Sequence, residues 1–199
     1  MFFILSACGT EKRDPNRDTR DKGTINISAD ESFKPVIEEQ VQIYESDHPD
    51  AKINVHYKPE ADCLNDLTVD SVRMIIVTKR ISKDEIEFIE DSLKVSPDQM
   101  MMAHDAIAVI IHPDEEIRRF TMKDLKEICQ GKFRKNLIPV FEGLKATSTV
   151  RFNVDSVLHG DSLTRKALAA RSSEEVIDYV SKNPAAVGFI GVSWIGNKG

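Results

Sequence analysis

Thr147-Ser148-Thr149, with Arg151 just beyond, is the segment of this 199-residue chain best equipped to do chemistry. Its three hydroxyls stand where a helical stripe of Val150, Val154, Val157 and Leu158 begins. A helix start offers unpaired N–H groups and a partial positive charge. The hydroxyls add neutral donors, and a guanidinium one turn in can grip two oxygens at once. Such a set would hold a small oxyanion away from bulk water. The same residues also have a plainer reading, with Thr147 or Ser148 as an N-cap and Arg151 as a surface cation. Two further strand-to-helix junctions are polar: Ser28-Ala29-Asp30-Glu31-Ser32-Phe33 and Thr78-Lys79-Arg80. Asp30 and Glu31 either favour the dipole of the helix they precede, or repel an anion, or supply one acceptor for a protonated oxyanion.

Other chemistries find no footing. There is no nucleophile elbow and no phosphate-gripping loop. His48, His56, His104, His112 and His159 lack metal-ligand spacing, and Met100-Met101-Met102 reads as a packed strand rather than a metal site. Cys63 and Cys129 are expected as free thiols in different parts of the fold. No metal and no cofactor is expected, and no catalysis. With 27 basic and 33 acidic residues the net charge is -6, which disfavours broad nucleic-acid binding. No run approaches the ~20 apolar residues that span a bilayer.

The elements that must position these residues alternate in period. Thr24–Ser28, Lys52–Tyr57 and Met74–Thr78 read as strands, as do Ala106–Ile111, Leu137–Phe141 and Ala186–Ile190. Between them lie helical stripes: Phe33 to Tyr44, the stretch after Ser82 and Glu85, and the stretch from Thr121 to Gly131. The Val150–Leu158 stripe ends at Gly160, and a last helix follows Ser172 and Glu175. Ser82 with Glu85, and Ser172 with Glu175, have capping-box spacing. Lys58-Pro59-Glu60-Ala61-Asp62 reads as a loop. Strands separated by helices predict an α/β fold around mixed, mostly parallel sheets.

The N-terminus reads as an address. Leu5-Ser6-Ala7-Cys8 resembles a bacterial lipobox, in which the cysteine thiol accepts lipid; Cys8 is therefore the expected attachment point. A standard leader has a basic start and a longer apolar core. Both are missing, so residues 1–8 read as a signal remnant, or else as a chance apolar end. Residues 9–22 carry no large apolar side chain and read as a polar tether.

Four segments, in order, resemble the phosphate-binding proteins of bacterial ABC importers, within the type II periplasmic binding-protein superfamily. They are Ala103–Pro113, Phe120–Lys132, Ala146–Phe152 and Val180–Gly191, the last reading Asn183-Pro184-Ala185-Ala186-Val187-Gly188-Phe189-Ile190. The resemblance implies two α/β lobes joined by crossover strands, with ligand in the cleft. It divides the chain into 1–22 as signal remnant and tether, 23–103 plus 186–199 as lobe one, and 104–185 as lobe two. Members of the family continue well past the returning strand, so it also implies a fragment, or a first lobe that needs a partner to complete it.

The resemblance further implies ligand donors at Ser32, Thr78, Thr147, Ser148, Thr149 and Arg151; Asp30 and Glu31 depart from its pattern, and Asp30 is the candidate acceptor for the proton of a protonated oxyanion. The Pro59-Glu60-Ala61-Asp62 stretch departs from the small, hydroxyl-rich character expected there. The implied partners are inorganic phosphate or a similar oxyanion such as sulfate or molybdate, ABC permease subunits, and a membrane through the lipid, in the bacterial cell envelope. The competing readings are a sensing or adhesion domain with an altered pocket and, more remotely, a phosphate-ester hydrolase.

Overall fold

The computed structural model describes residues 18–145 and 147–196. The lipobox, Cys8 and most of the tether lie outside the described residues. Among those described, no helix is long and apolar enough to cross a membrane.

The chain opens with β1 (Lys22–Asp30), α1 (Lys34–Asp47), β2 (Asp50–Lys58), α2 (Glu60–Asn65), β3 (Val72–Ile76) and α3 (Lys83–Leu93). The three strands form a parallel sheet in the order β2-β1-β3. Pro35 sits in the first turn of α1, where its missing N–H costs nothing. α3 begins with the expected capping box: the Ser82 hydroxyl accepts from Glu85 N, and the Glu85 carboxylate accepts from Ser82 N. α2 replaces the expected loop. Its first turn carries Glu60 and Asp62, which suit the positive end of a helix.

A second sheet is built from β4 (Ile107–Ile111), β5 (Ile138–Glu142), β6 (Leu168–Ala170) and β7 (Ala186–Gly191), in the order β4-β7-β5-β6. β4 pairs antiparallel with β7, while β5 runs parallel to both β6 and β7. Its helices are α4 (Met122–Gln130), α5 (Ser148–Phe152) and α6 (Ser173–Lys182). α4 has a capping box between Thr121 and Asp124, and Gly131 closes it in the left-handed conformation that glycine adopts without strain. The Val150–Leu158 stripe begins as α-helix and then widens into a π-helical turn, Asn153–Val157.

Alternate residues of these strands reach two apolar clusters. Phe141 and Phe189 stack at 4.8 Å in one, with Ile128, Leu158 and Val187; Val140 and Ile190 lie in the other with Val176 and Val180. The second sheet is therefore covered on both faces.

This corrects the expected division of the chain. Ala186–Gly191 lies inside the second sheet, not in the first lobe. All six of its residues are buried, so it needs neighbours on both edges and both faces. A Cβ on Gly188 would meet Ile110 at 2.7 Å and Val176 at 2.8 Å, which fixes it between β4 and α6. The strand's last residue, Gly191, packs against Ser32, and in the turn that follows Ser193 Oγ donates to Ser32 O at 2.6 Å. Met100, Met101 and Met102 are also not a packed strand. All three are exposed, in an extended stretch that belongs to neither sheet.

Candidate functional site

Parallel strands bring their carboxyl ends to one edge of a sheet, and the loops there are the natural place for a ligand. At that edge β1 delivers Asp30, β2 delivers Glu60 through Pro59, and β3 delivers Thr78 and Lys79. The second sheet faces them with Glu142 at the end of β5 and Arg151 on α5.

The contact between the two sides centres on the Glu60 carboxylate, only 3% exposed. Its Oε1 accepts from Thr78 N at 3.0 Å, Thr78 Oγ1 at 2.5 Å and Lys79 N at 2.9 Å. Arg151 reaches across from the second sheet, donating through Nε to Oε2 at 2.7 Å and through Nη2 to Oε1 at 3.3 Å. Arg151 Nη2 also donates to Thr78 Oγ1 at 2.6 Å. Burial alone would raise the Glu60 carboxyl; the Arg151 and Thr78 hydrogen bonds and the guanidinium charge outweigh it, leaving it below its ordinary range. The bond to Glu60 in turn raises the Arg151 guanidinium.

Asp30 lies beside this cluster, close enough for its charge to act on Arg151. It is 2% exposed, and its Oδ1 accepts from Ser32 N at 2.9 Å and Ser32 Oγ at 2.8 Å. Among the described residues Oδ2 has no hydrogen-bond partner although it is buried. An acceptor in that state has lost water without gaining a donor. Glu31 and Glu142 meet nearby across the two sides, and Ser173 Oγ donates to Glu142 Oε2 at 2.8 Å. Desolvation first, then the Glu31 charge, push the Glu142 carboxyl up to about 8. Burial and Asp30 also raise Asp105.

The residues singled out from sequence divide accordingly. Thr78 and Arg151 are brought into direct contact, and Asp30 and Ser32 into another. The Ser32 hydroxyl is already spent on Asp30 and so is not the free donor expected of it. Thr147 acts as the N-cap, its hydroxyl accepting from Val150 N at 3.4 Å. Ser148 and Thr149 are buried in the first turn behind it. The Lys79 side chain turns away to Glu85 at 2.6 Å, leaving only its backbone N–H in the cluster. Cys63 and Cys129 are buried free thiols, pushed up to about 12 by burial.

Residue order does not mark Glu60 as the centre of this cluster. The one signal available was its position directly after a strand, next to a proline; its partners lie 18 and 91 residues away.

Comparison with known proteins agrees with the architecture. A family model described as a PBP superfamily domain matches residues 14–199. The phosphate-binding protein PstS of Borreliella burgdorferi is 20% identical over 188 residues, covering 87% of this chain. The chain spans 65% of that relative's length. Among solved structures, a candidate phosphate ABC transporter substrate-binding protein from Clostridium perfringens, with bound phosphate, superposes with a TM-score of 0.73 at 18% identity. That match covers 86% of this chain and 72% of the other. A sulfate-bound mutant of the OxyR2 regulatory domain from Vibrio vulnificus gives 0.63 at 11% identity, covering 90% and 76%.

Proposed function

The chain belongs to the PBP superfamily, and from that premise we propose that it captures inorganic phosphate between its two sheets as the solute-binding component of an ABC importer. The observation that carries this reading is the convergence of Thr78, Lys79 and Arg151 donors, from both sides, on one buried oxyanionic group. Here that group is a carboxylate of the chain itself. Two N–H groups, a hydroxyl and a guanidinium are what a phosphate oxygen needs too, and charge-assisted bonds of this kind are the strong ones. The phosphate-binding relatives supply the ligand class.

Asp30 supplies the selectivity. Phosphate near neutral pH usually carries a proton, which sulfate lacks. Asp30 Oδ2 is an acceptor in want of a donor. Nothing in this reading makes or breaks a bond; the protein binds and releases. Attachment to a bacterial membrane through lipid on Cys8, exposure outside the cytoplasm and delivery to permease subunits complete the proposal.

Calorimetric titration with phosphate, sulfate and molybdate tests it. Phosphate should bind and sulfate bind more weakly. A buried donor left without its acceptor costs about 1–3 kcal/mol, so Asp30→Asn should reduce the phosphate-over-sulfate preference by roughly 5- to 150-fold. A wild-type chain indifferent to all three anions sinks the capture reading; an unchanged preference in the variant moves the proton acceptor elsewhere.

A further inference from the structure

We propose that Glu60 is a built-in occupant of the anion cradle: a carboxylate latch that joins the two sides when no ligand is bound and that an incoming oxyanion must displace. The displacement half of this inference rests on the oxyanion-capture reading above; the latch itself rests on the contacts alone.

The argument is one of saturation. Each backbone N–H has one proton to donate, and those of Thr78 and Lys79 both go to Glu60 Oε1. The Thr78 hydroxyl proton goes there as well. Arg151 faces the same carboxylate with two of its nitrogens. A phosphate using these donors cannot share them with Glu60. Charge makes the exclusion stronger, because Glu60, Asp155 and Asp30 already set three carboxylates against one guanidinium in a partly desolvated place.

The geometry also lets Glu60 leave. It occupies the first position of the short helix α2, after Pro59, so a side-chain rotation suffices and no strand has to break. Arg151 is 40% exposed and has a second carboxylate, Asp155, at 3.8 Å on its own helical segment. It therefore keeps a partner when Glu60 swings away. The carboxylate that leaves regains water.

Two consequences follow for capture. The sides are held together without ligand, so closure is not by itself a report of binding. The apparent dissociation constant rises as the inverse of the fraction of time the latch is open. A protein so arranged answers to high ligand concentrations and ignores low ones.

The test compares the wild-type chain with Glu60→Ala and Glu60→Gln. Spectroscopic labels are placed at Glu87 in the first unit and Arg165 in the second, both exposed. Without ligand, the wild type should give one narrow distance. Glu60→Ala should give a broader and longer distribution that narrows again with inorganic phosphate. Phosphate should bind Glu60→Ala at least about tenfold more tightly than wild type, since a latch shut nine-tenths of the time weakens binding by that factor. Glu60→Gln keeps an acceptor but loses the charge, and should fall between. If Glu60→Ala does not fold, Glu60→Gln carries the same comparison.

Unchanged distance and unchanged phosphate affinity overturn the latch and leave capture standing. Weaker phosphate binding in Glu60→Ala also overturns it, by making Glu60 part of the ligand's own site. Opening in Glu60→Ala, with phosphate, sulfate and molybdate binding none of the three proteins, upholds the latch and removes capture.

Discussion

In the second sheet all six residues of β7 are buried and apolar clusters cover both faces, whereas β2 of the first sheet buries none of its nine. The buried apolar residues on the first side are few: Ile27, Ala29, Ile37, Cys63 and Ile89. β1 itself is buried only over its last four residues. The second side is thus a firm platform that presents Arg151. The first is a lightly packed arm that presents Asp30, Glu60 and Thr78. Parts that must move to admit a ligand are drawn from the less stable end of a structure. On the capture proposed above, the contrast assigns motion to the first side and reference to the second.

The hardest way to break this contrast is through the cores. Phe141 is fully buried and stacked on Phe189. Phe141→Ala should cost about 3–5 kcal/mol, a large part of a typical domain's stability. Ile37→Ala on the first side should cost about 2 kcal/mol, the low end for such truncations, because little is packed around it. Urea unfolding of both variants measures the difference. Equal costs would mean that the first side is as firmly built as the second.

A subtler effect lies in the two carboxylate contacts that bridge the sides, because they titrate in opposite senses. Glu60 is held below its ordinary value, so its contribution is present above about pH 4.5 and fades only as acid protonates it. Glu142 is pushed up to about 8, by desolvation first and by Glu31 second. Between its unfolded value of 4.5 and about 8 the folded state keeps a proton that the unfolded chain has lost. Stability attributable to this pair therefore falls as pH rises through that window and is gone above it. Glu142→Gln keeps a donor toward Glu31 without the titration. Thermal melts at about pH 5 and about pH 9 should show a drop in the wild type that the variant lacks. A wild-type Tm that rises across the window would reverse the assignment.

Much of this was legible from residue order. The α/β class followed from the alternating periods, and the start of α3 from Ser82 and Glu85, because these are local signals. Thr78 and Arg151 read as donors, but nothing local says that they meet each other over Glu60. Glu-Ala-Asp-Cys-Leu-Asn spans less than two helical turns, too short for an apolar stripe, so residue order reads α2 as a loop and does not single out its first carboxylate. β6 is three residues long and too short to leave a periodic signal. The placement of Ala186–Gly191 failed differently. Ala186–Ile190 reads as a strand, but which sheet receives it depends on Gly188 fitting between Ile110 and Val176, contacts that residue order does not show.

The smallest test uses the two capping boxes, which are nearly the same chemistry set in the two unlike sides. Ser82 caps α3 and Thr121 caps α4, each hydroxyl accepting from the backbone N–H three residues on. Removing either cap by Ser82→Ala or Thr121→Ala should weaken its helix by about 1 kcal/mol. The helices differ in what they bury: α4 carries Ile128 and Cys129, both fully buried, while α3 buries Ile89 alone and leaves Phe88 exposed. α4 cannot fray without opening the cluster that holds Phe141, so the cost of Thr121→Ala should appear in full as a shift of the global unfolding midpoint. α3 can fray at little expense to the rest of the fold. Ser82→Ala should therefore speed amide exchange along Lys83–Leu93 and barely move that midpoint. Equal midpoint shifts from the two variants would tie α3 to the global core and remove the distinction between arm and platform.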